Sequence, residues 1–219
     1  MIWIFDLDET LFDEQTYVIS GLKAVAQFLA EDDHTRQSTF SQFMVREFST
    51  NGRDRVFQRL KSEFPEISES IGDLVNVYRN HQPEIELFPD AKKLLFELSA
   101  ETMFLVTDGS HITQRSKIRA LNLELVFRET FVTDEHGLGA AKPGTKCFEM
   151  IKSICRSDWS DMVYVGDDPH KDFVNLKPLG VRTVRINRGR FKHLILDQSH
   201  EAEILINDLS ELRSKLGEI

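Results

Sequence analysis

Short, wholly apolar runs that stop abruptly at acids or hydroxyls constrain this 219-residue chain more than any other feature. Ile2-Trp3-Ile4-Phe5 runs into Asp6-Leu7-Asp8-Glu9-Thr10, and Met103-Phe104-Leu105-Val106 into Thr107-Asp108-Gly109-Ser110. Val163-Tyr164-Val165 runs into Gly166-Asp167-Asp168. Continuous apolar runs of this length suit strands covered on both faces. Strands are therefore expected at 2–5, 103–107, 127–133, 162–166, 181–186 and 203–206. Helical patterns at 89–98, 112–121, 144–155, 169–179 and 209–216 alternate with them. Alternation of this kind predicts an α/β fold, a doubly wound Rossmann-like parallel sheet. Ligands of such sheets bind beyond the carboxyl ends of the strands.

Residues 14–86 break the alternation with helical periodicity alone. Val18, Leu22, Val25, Phe28 and Leu29 make one apolar face; Phe40, Phe43, Met44 and Phe48 make another. Val56, Phe57, Leu60 and Phe64 make a third, and Ile71, Leu74, Val75 and Tyr78 a fourth. Spacings of three and four residues place each set on one side of a helix. The expected organisation is a core built from 1–13 and 87–219 with a helical-bundle cap inserted at 14–86. An insertion directly after the first strand is expected to act as a lid at the sheet's carboxyl edge.

Composition narrows the function classes. Lys and Arg number 27 against 36 acids, a formal balance of -9, which argues against nucleic-acid binding driven by phosphate neutralisation. The longest apolar run has five residues, Met1 to Phe5, far short of the ~20 that span a bilayer, so no membrane span is expected. No charged segment or small-residue cleavage site precedes Asp6, so no secretory leader is expected. Cys147 and Cys155 sit eight apart on a predicted helix, ~12 Å between Cα atoms, too far for a disulfide. Two buried thiols and a cytoplasmic setting are expected. A monomer and a homodimer are equally compatible with the sequence.

The strand ends carry the chemistry. Carboxylates at Asp6 and Asp8 need a partner, and a cation is the natural one, although a turn with a capped helix uses the same residue types. Thr107 with the backbone N–H groups of Asp108 and Gly109 suits phosphate oxygens, or an ordinary helix cap. Lys142, before Pro143, can aim a fixed cation at the same place; a solvated lysine is the plainer alternative. Asp167, Asp168 and Asp172 after the 162–166 strand suit Mg²⁺, which binds through few carboxylates and keeps its waters. Each feature has a plain explanation singly; four in order at successive strand ends do not.

Together they resemble the four motifs of the haloacid dehalogenase superfamily, over nearly the whole chain. Asp6-Leu7-Asp8-Glu9-Thr10 is similar to the first motif, Thr107 to the second and Lys142 to the third. Gly166-Asp167-Asp168 with Asp172 resembles the fourth in its longer-spaced form. The resemblance implies a Mg²⁺-dependent phosphatase acting on a small phosphorylated metabolite. Asp6 would be the nucleophile, forming an aspartyl-phosphate. Asp8 would be the general acid and then base. Mg²⁺ would be held by the Asp6 side chain, the Asp8 carbonyl and the Asp167 side chain. Thr107, the N–H groups near Asp108 and Gly109, and Lys142 would hold phosphoryl oxygens. Asp172 would orient metal waters or Lys142, Thr10 would steady the first loop, and Asp168 would be an outer acid or a cap. The dehalogenase branch lacks an aspartate at the Asp8 position, so Asp8 implies an oxygen leaving group. A sugar phosphomutase and a noncatalytic phosphate-binding protein are the alternatives. Two basic stretches, Arg46, Arg53, Arg55, Arg59 and Lys61 in the cap and Arg182, Arg185, Arg188, Arg190 and Lys192 in the core, read as solvated faces. Arg53 and Arg55, after the Asn51-Gly52 turn, are the cap's candidates for substrate selection.

Overall fold

The computed structural model describes residues 1–217. In chain order, β1 (Ile2–Phe5) precedes the helices α1 (Glu14–Ala30), α2 (His34–Asn51), α3 (Val56–Glu63) and α4 (Ile71–Asn80). Then come α5 (Pro89–Glu97), β2 (Thr102–Thr107), α6 (His111–Ala120), β3 (Glu129–Val132), α7 (Lys146–Cys155) and β4 (Met162–Gly166). β5 (Arg182–Ile186), β6 (Ile204–Ile206) and α8 (Leu212–Gly217) complete the chain. Contacts divide it into two compact units: Met1–Glu14 with the chain from Glu86 onward, and Gln15–Ile85.

In the first unit six parallel strands form one sheet in the order β3-β2-β1-β4-β5-β6. All four β1 residues are buried, so both faces of the strand are covered. Ile2 and Ile4 share a core cluster with Phe104, Phe131, Ile151 and Tyr164. The chain winds outward from β1 to β3, then restarts at β4 on the other side of β1. That reversal puts the switch point of the topology between β1 and β4.

The 169–179 segment is a correction: it forms turns and a short 3₁₀ stretch, Lys177–Leu179, instead of an α-helix. Asp168 Oδ1 accepts the His170 N–H at 3.0 Å and Asp172 Oδ2 accepts the Asp168 N–H at 2.9 Å. The Asp172 N–H donates to the Asp168 carbonyl and the Lys177 N–H to the Phe173 carbonyl, both at 3.0 Å, single turns that do not join, and Pro178 has no N–H to continue one. β3 also spans less than the expected 127–133. Both cysteines are free; Cys147 is buried, but Cys155, at the end of α7, is only half-buried.

The second unit is a four-helix cluster around Val18, Leu22, Val25, Phe40, Met44 and Leu60. Its helix starts follow local chemistry. Asp33 caps α2 by accepting from the Thr35 and Arg36 N–H groups, and Ser70 with Asp73 forms a capping box on α4. Gly21 lets α1 and Tyr78 meet: a Cβ there would lie 2.5 Å from the Tyr78 ring. Phe28, assigned to the α1 apolar face, is exposed instead. The unit's cations are not one solvated face either. Arg59 lies 3.5 Å from Glu47, Lys61 Nζ donates to the Ile67 carbonyl at 2.8 Å, and the Arg46 guanidinium lies over the Phe43 ring. Arg53 and Arg55 line a groove of about 340 Å³ within this unit.

Candidate active site

Parallel register brings the polar strand ends to one edge. Phe5 aligns with Leu105 of β2 and Val165 of β4, so Asp6, Thr107 and Asp167 emerge together. The Asp6 N–H donates to the Val165 carbonyl at 2.9 Å, which continues the ladder one residue past β1 and fixes the Asp6 backbone.

Lys142 is the hub beneath these strand ends. Its Nζ lies 2.9 Å from Asp6 Oδ1, 2.8 Å from Asp172 Oδ1 and 2.9 Å from Tyr164 Oη. Tyr164 in turn donates to Asp172 Oδ1 at 3.0 Å. Burial works against the ammonium, but Asp172 and Asp6 outweigh it, and Lys142 is held well above the ordinary lysine range. The solvated alternative for Lys142 is therefore excluded. Gly166 is required here: a Cβ would fall 2.4 Å from Asp172 Oδ2.

One oxygen each from Asp6, Asp167 and Asp172 lies within 4.8 Å of the others, and all three residues are buried. Burial raises Asp6 to about 6, opposed by Lys142 and reinforced by Asp172. Burial raises Asp167 to about 9, with Asp172 and Asp6 adding repulsion. Lys142 and the nearby Lys171 do not offset the burial of this cluster, and buried carboxylates short of positive charge are what a cation site looks like before loading. The donors are all hard oxygens. The residues therefore fit Mg²⁺. Asp172 stands in this trio as well as against Lys142.

Asp8 is held apart from Asp6. Its Oδ1 lies 2.6 Å from Lys117 Nζ, and its Oδ2 accepts from Gln114 Nε2 at 2.8 Å. Gln114 Nε2 also donates to Thr107 Oγ1 at 2.6 Å, linking the first motif to the second. Gln114 and Lys117 lie three apart on α6, on its inward side, and both are buried. The two aspartates thus occupy different charge environments two residues apart in sequence.

Asp108 is committed to structure through its side chain. Oδ1 accepts from Thr133 Oγ1 at 2.8 Å and from the Lys142 N–H at 3.1 Å, and Oδ2 lies 3.0 Å from Lys171 Nζ. Burial raises this carboxyl, but Lys142 and Lys171 bring it below the ordinary range. Thr10 Oγ1 is buried and makes no hydrogen bond among the described residues. Asp168 accepts from both the His170 N–H and, at 2.8 Å, the His170 ring. Gly109, at φ +131, sits against Gln114. Asp6, Asp8, Thr107 and Asp167 line a cleft of about 110 Å³, and so do Lys171 and Arg190.

Sequence reasoning did not find Gln114, Lys117, Tyr164, Thr133 or Lys171. The i, i+3 pair of polar residues one turn into the helix after Thr107 was the available signal for the first two. Two members of the core's basic stretch are not solvated. Arg185 is buried with its Nη1 2.8 Å from Glu201, and Arg188 pairs with Asp90.

The family model for haloacid dehalogenase-like hydrolases matches residues 3–186. The chain belongs to this family. Among this hydrolase's relatives is the glyceraldehyde 3-phosphate phosphatase of Methanocaldococcus jannaschii, 27% identical over 218 residues, covering 95% of this chain and 93% of that protein. The phosphoserine phosphatase of Thermus thermophilus is 26% identical over 162 residues, covering 73% of this chain and 63% of that protein. A 2-haloacid dehalogenase from Pseudomonas syringae superposes with a TM-score of 0.66 at 22% identity, covering 99% of this chain and 98% of that one. That likeness concerns the fold alone, and a shared fold does not fix the reaction.

Proposed function

We propose that this hydrolase is a Mg²⁺-dependent phosphatase, which cleaves a small phosphomonoester through an aspartyl-phosphate on Asp6. The observation that carries this reading is the separation of two carboxylates, Asp6 against Lys142 and Asp8 against Lys117 and Gln114. Titratable pairs with distinct environments are suited to distinct roles. The phosphatase-named relatives support the same reading.

Asp6 attacks phosphorus; its oxygen forms the new P–O bond as the ester oxygen leaves. Lys142 keeps Asp6 ionised against the pull of burial. Asp8 gives the leaving oxygen its proton, then takes one from the water that opens the aspartyl-phosphate. Gln114 aligns Asp8 with Thr107, whose hydroxyl and the N–H groups near Asp108 and Gly109 hold phosphoryl oxygens. Asp6, Asp167 and the Asp8 carbonyl would hold Mg²⁺, with Asp172 beside them, and the ion would supply positive charge against the carboxylates and the phosphoryl group. Residues 14–86 form the unit that selects the leaving group, with Arg53 and Arg55, which line that unit's own groove, as its candidate selecting residues. Two free thiols suit a reducing, cytoplasmic setting.

Purified protein with Mg²⁺ and a panel of phosphorylated metabolites, read by phosphate release, tests this reading. The panel starts with three-carbon esters, since two named relatives act on such compounds. Release that stops on chelation supports it. Undiminished release in EDTA removes the metal, and no release from any ester removes the phosphatase.

A further inference from the structure

We propose that Arg190 grips a carboxylate on the leaving group, so that the substrate class is a phosphomonoester carrying a second, carboxylic anion. This rests on the phosphatase reading above and extends it to the substrate's far end.

The loop after β5 is fixed at several points. The Asn187 N–H donates to the Ile206 carbonyl at 2.8 Å, and Arg185 Nη2 donates to the Phe191 carbonyl at 2.7 Å. Arg188 lies on the Phe88 ring at 4.4 Å and donates to Asp90 at 3.2 Å. Gly189, at φ +68, presses on the first motif: a Cβ there would lie 2.4 Å from Glu9 Oε2. Only glycine satisfies both the backbone angle and that approach. These anchors set Arg190 and Phe191 into the wall of the cleft that Asp6 and Asp8 line.

The cleft's cations, Lys171 and Arg190, and the arginines of β5 and its loop beside it are unequally committed. Lys171 is 3.0 Å from Asp108. Arg182, Arg185 and Arg188 each donate to protein oxygens. Arg190, among the described residues, makes no hydrogen bond or ion pair; its guanidinium lies 4.5 Å from the Phe191 ring centre. A ring face orients a guanidinium without occupying its edge N–H donors. A planar fork with its donors available matches a carboxylate in a bidentate pair.

Its place in the sheet says which end of the substrate it meets. β5 is two strands from β1, with β4 between, about 10 Å across at ordinary strand spacing. Asp6 follows β1 directly and Arg190 follows β5 by a short loop. The phosphorus goes to Asp6, so Arg190, in the wall of the same cleft but two strands along the edge, meets a part of the substrate other than the phosphoryl group. A cation offset in this way recognises a remote anion, and binding energy gained there helps to position the reacting phosphoryl group.

The test compares 3-phosphoglycerate with glycerol 3-phosphate, which have similar size and differ in the carboxylate, on wild type, Arg190→Ala and Arg190→Lys with Mg²⁺. Arg190→Ala should lower kcat/KM for 3-phosphoglycerate by about 10-fold or more, the scale of a lost charge-assisted contact, and change glycerol 3-phosphate by less than about 3-fold. Arg190→Lys should restore part of the loss, because charge returns without the fork. Equal losses on both esters, or none on 3-phosphoglycerate while glycerol 3-phosphate is turned over, overturn this inference and leave the phosphatase standing. Turnover of neither ester by wild type, with none elsewhere in the metabolite panel, overturns the phosphatase reading and this inference with it.

Discussion

Lys142 Nζ lies 2.9 Å from Asp6 Oδ1 inside a buried cluster, and the same ammonium is 2.8 Å from Asp172 Oδ1. A cation shared between two buried acids offsets part of the cost of burying them, and for Asp6 it opposes the rise that burial imposes. The nucleophile assigned to Asp6 therefore depends on a residue more than a hundred positions away in sequence.

Lys142→Met keeps much of the volume and removes the charge. Breaking one partner of a buried pair costs roughly 3–5 kcal/mol, so the variant should unfold at clearly lower denaturant and lose phosphate release even where folded. Denaturant titration beside turnover checks both. Unchanged midpoint and rate would return Lys142 to an ordinary lysine.

Metal loading should depend on pH in a defined sense. Asp6 is raised from 3.8 to about 6 by burial, so the folded chain holds this proton longer than the unfolded chain does. For a raised carboxyl the folded state binds more protons between the two values, and metal-free stability falls as pH rises from about 4 through about 6. Asp167, raised by burial to about 9, carries the same sign to higher pH. Mg²⁺ displaces these protons, so the Mg²⁺-induced rise in Tm should be small at pH 5 and grow through neutrality. A Tm rise independent of pH, or none at any pH, would contradict the acidic trio as the metal site.

Asp8 is assigned to proton transfer, and leaving-group chemistry isolates that role. Asp8→Asn should slow an alkyl phosphate by ~100-fold or more, the scale of general acid–base catalysis. p-Nitrophenyl phosphate, whose leaving group departs without a proton, should suffer much less in the first step. Burst kinetics with p-nitrophenyl phosphate checks this. Equal loss of the burst rate and the alkyl phosphate rate would make Asp8 a structural partner of Lys117.

The parts of this site that were legible in sequence are those that end strands. Asp6, Thr107 and Asp167 interrupt apolar runs, and an interruption of that kind is visible without knowing the fold. Lys142 was visible only through its motif, since a lone lysine gives no sign of burial. Gln114 and Lys117 offered only the i, i+3 spacing of two polar residues, because their partner, Asp8, is over a hundred residues away. The 169–179 helix was misread because Asp168, accepting the His170 N–H, reads as a helix cap, while the single turns that follow it do not join, which apolar periodicity does not report. The basic stretch before Lys192 was misread for a related reason. Its arginines look alike in sequence, and only the paths of β5 and β6 decide which one meets an acid and which meets the cleft.

Rapid quenching of enzyme with substrate and Mg²⁺, followed by peptide mass spectrometry, tests the central claim most directly. The account predicts a phosphate adduct on the peptide containing Asp6, absent from Asp6→Asn. An adduct on a peptide that excludes Asp6, or turnover retained by Asp6→Asn, would contradict it.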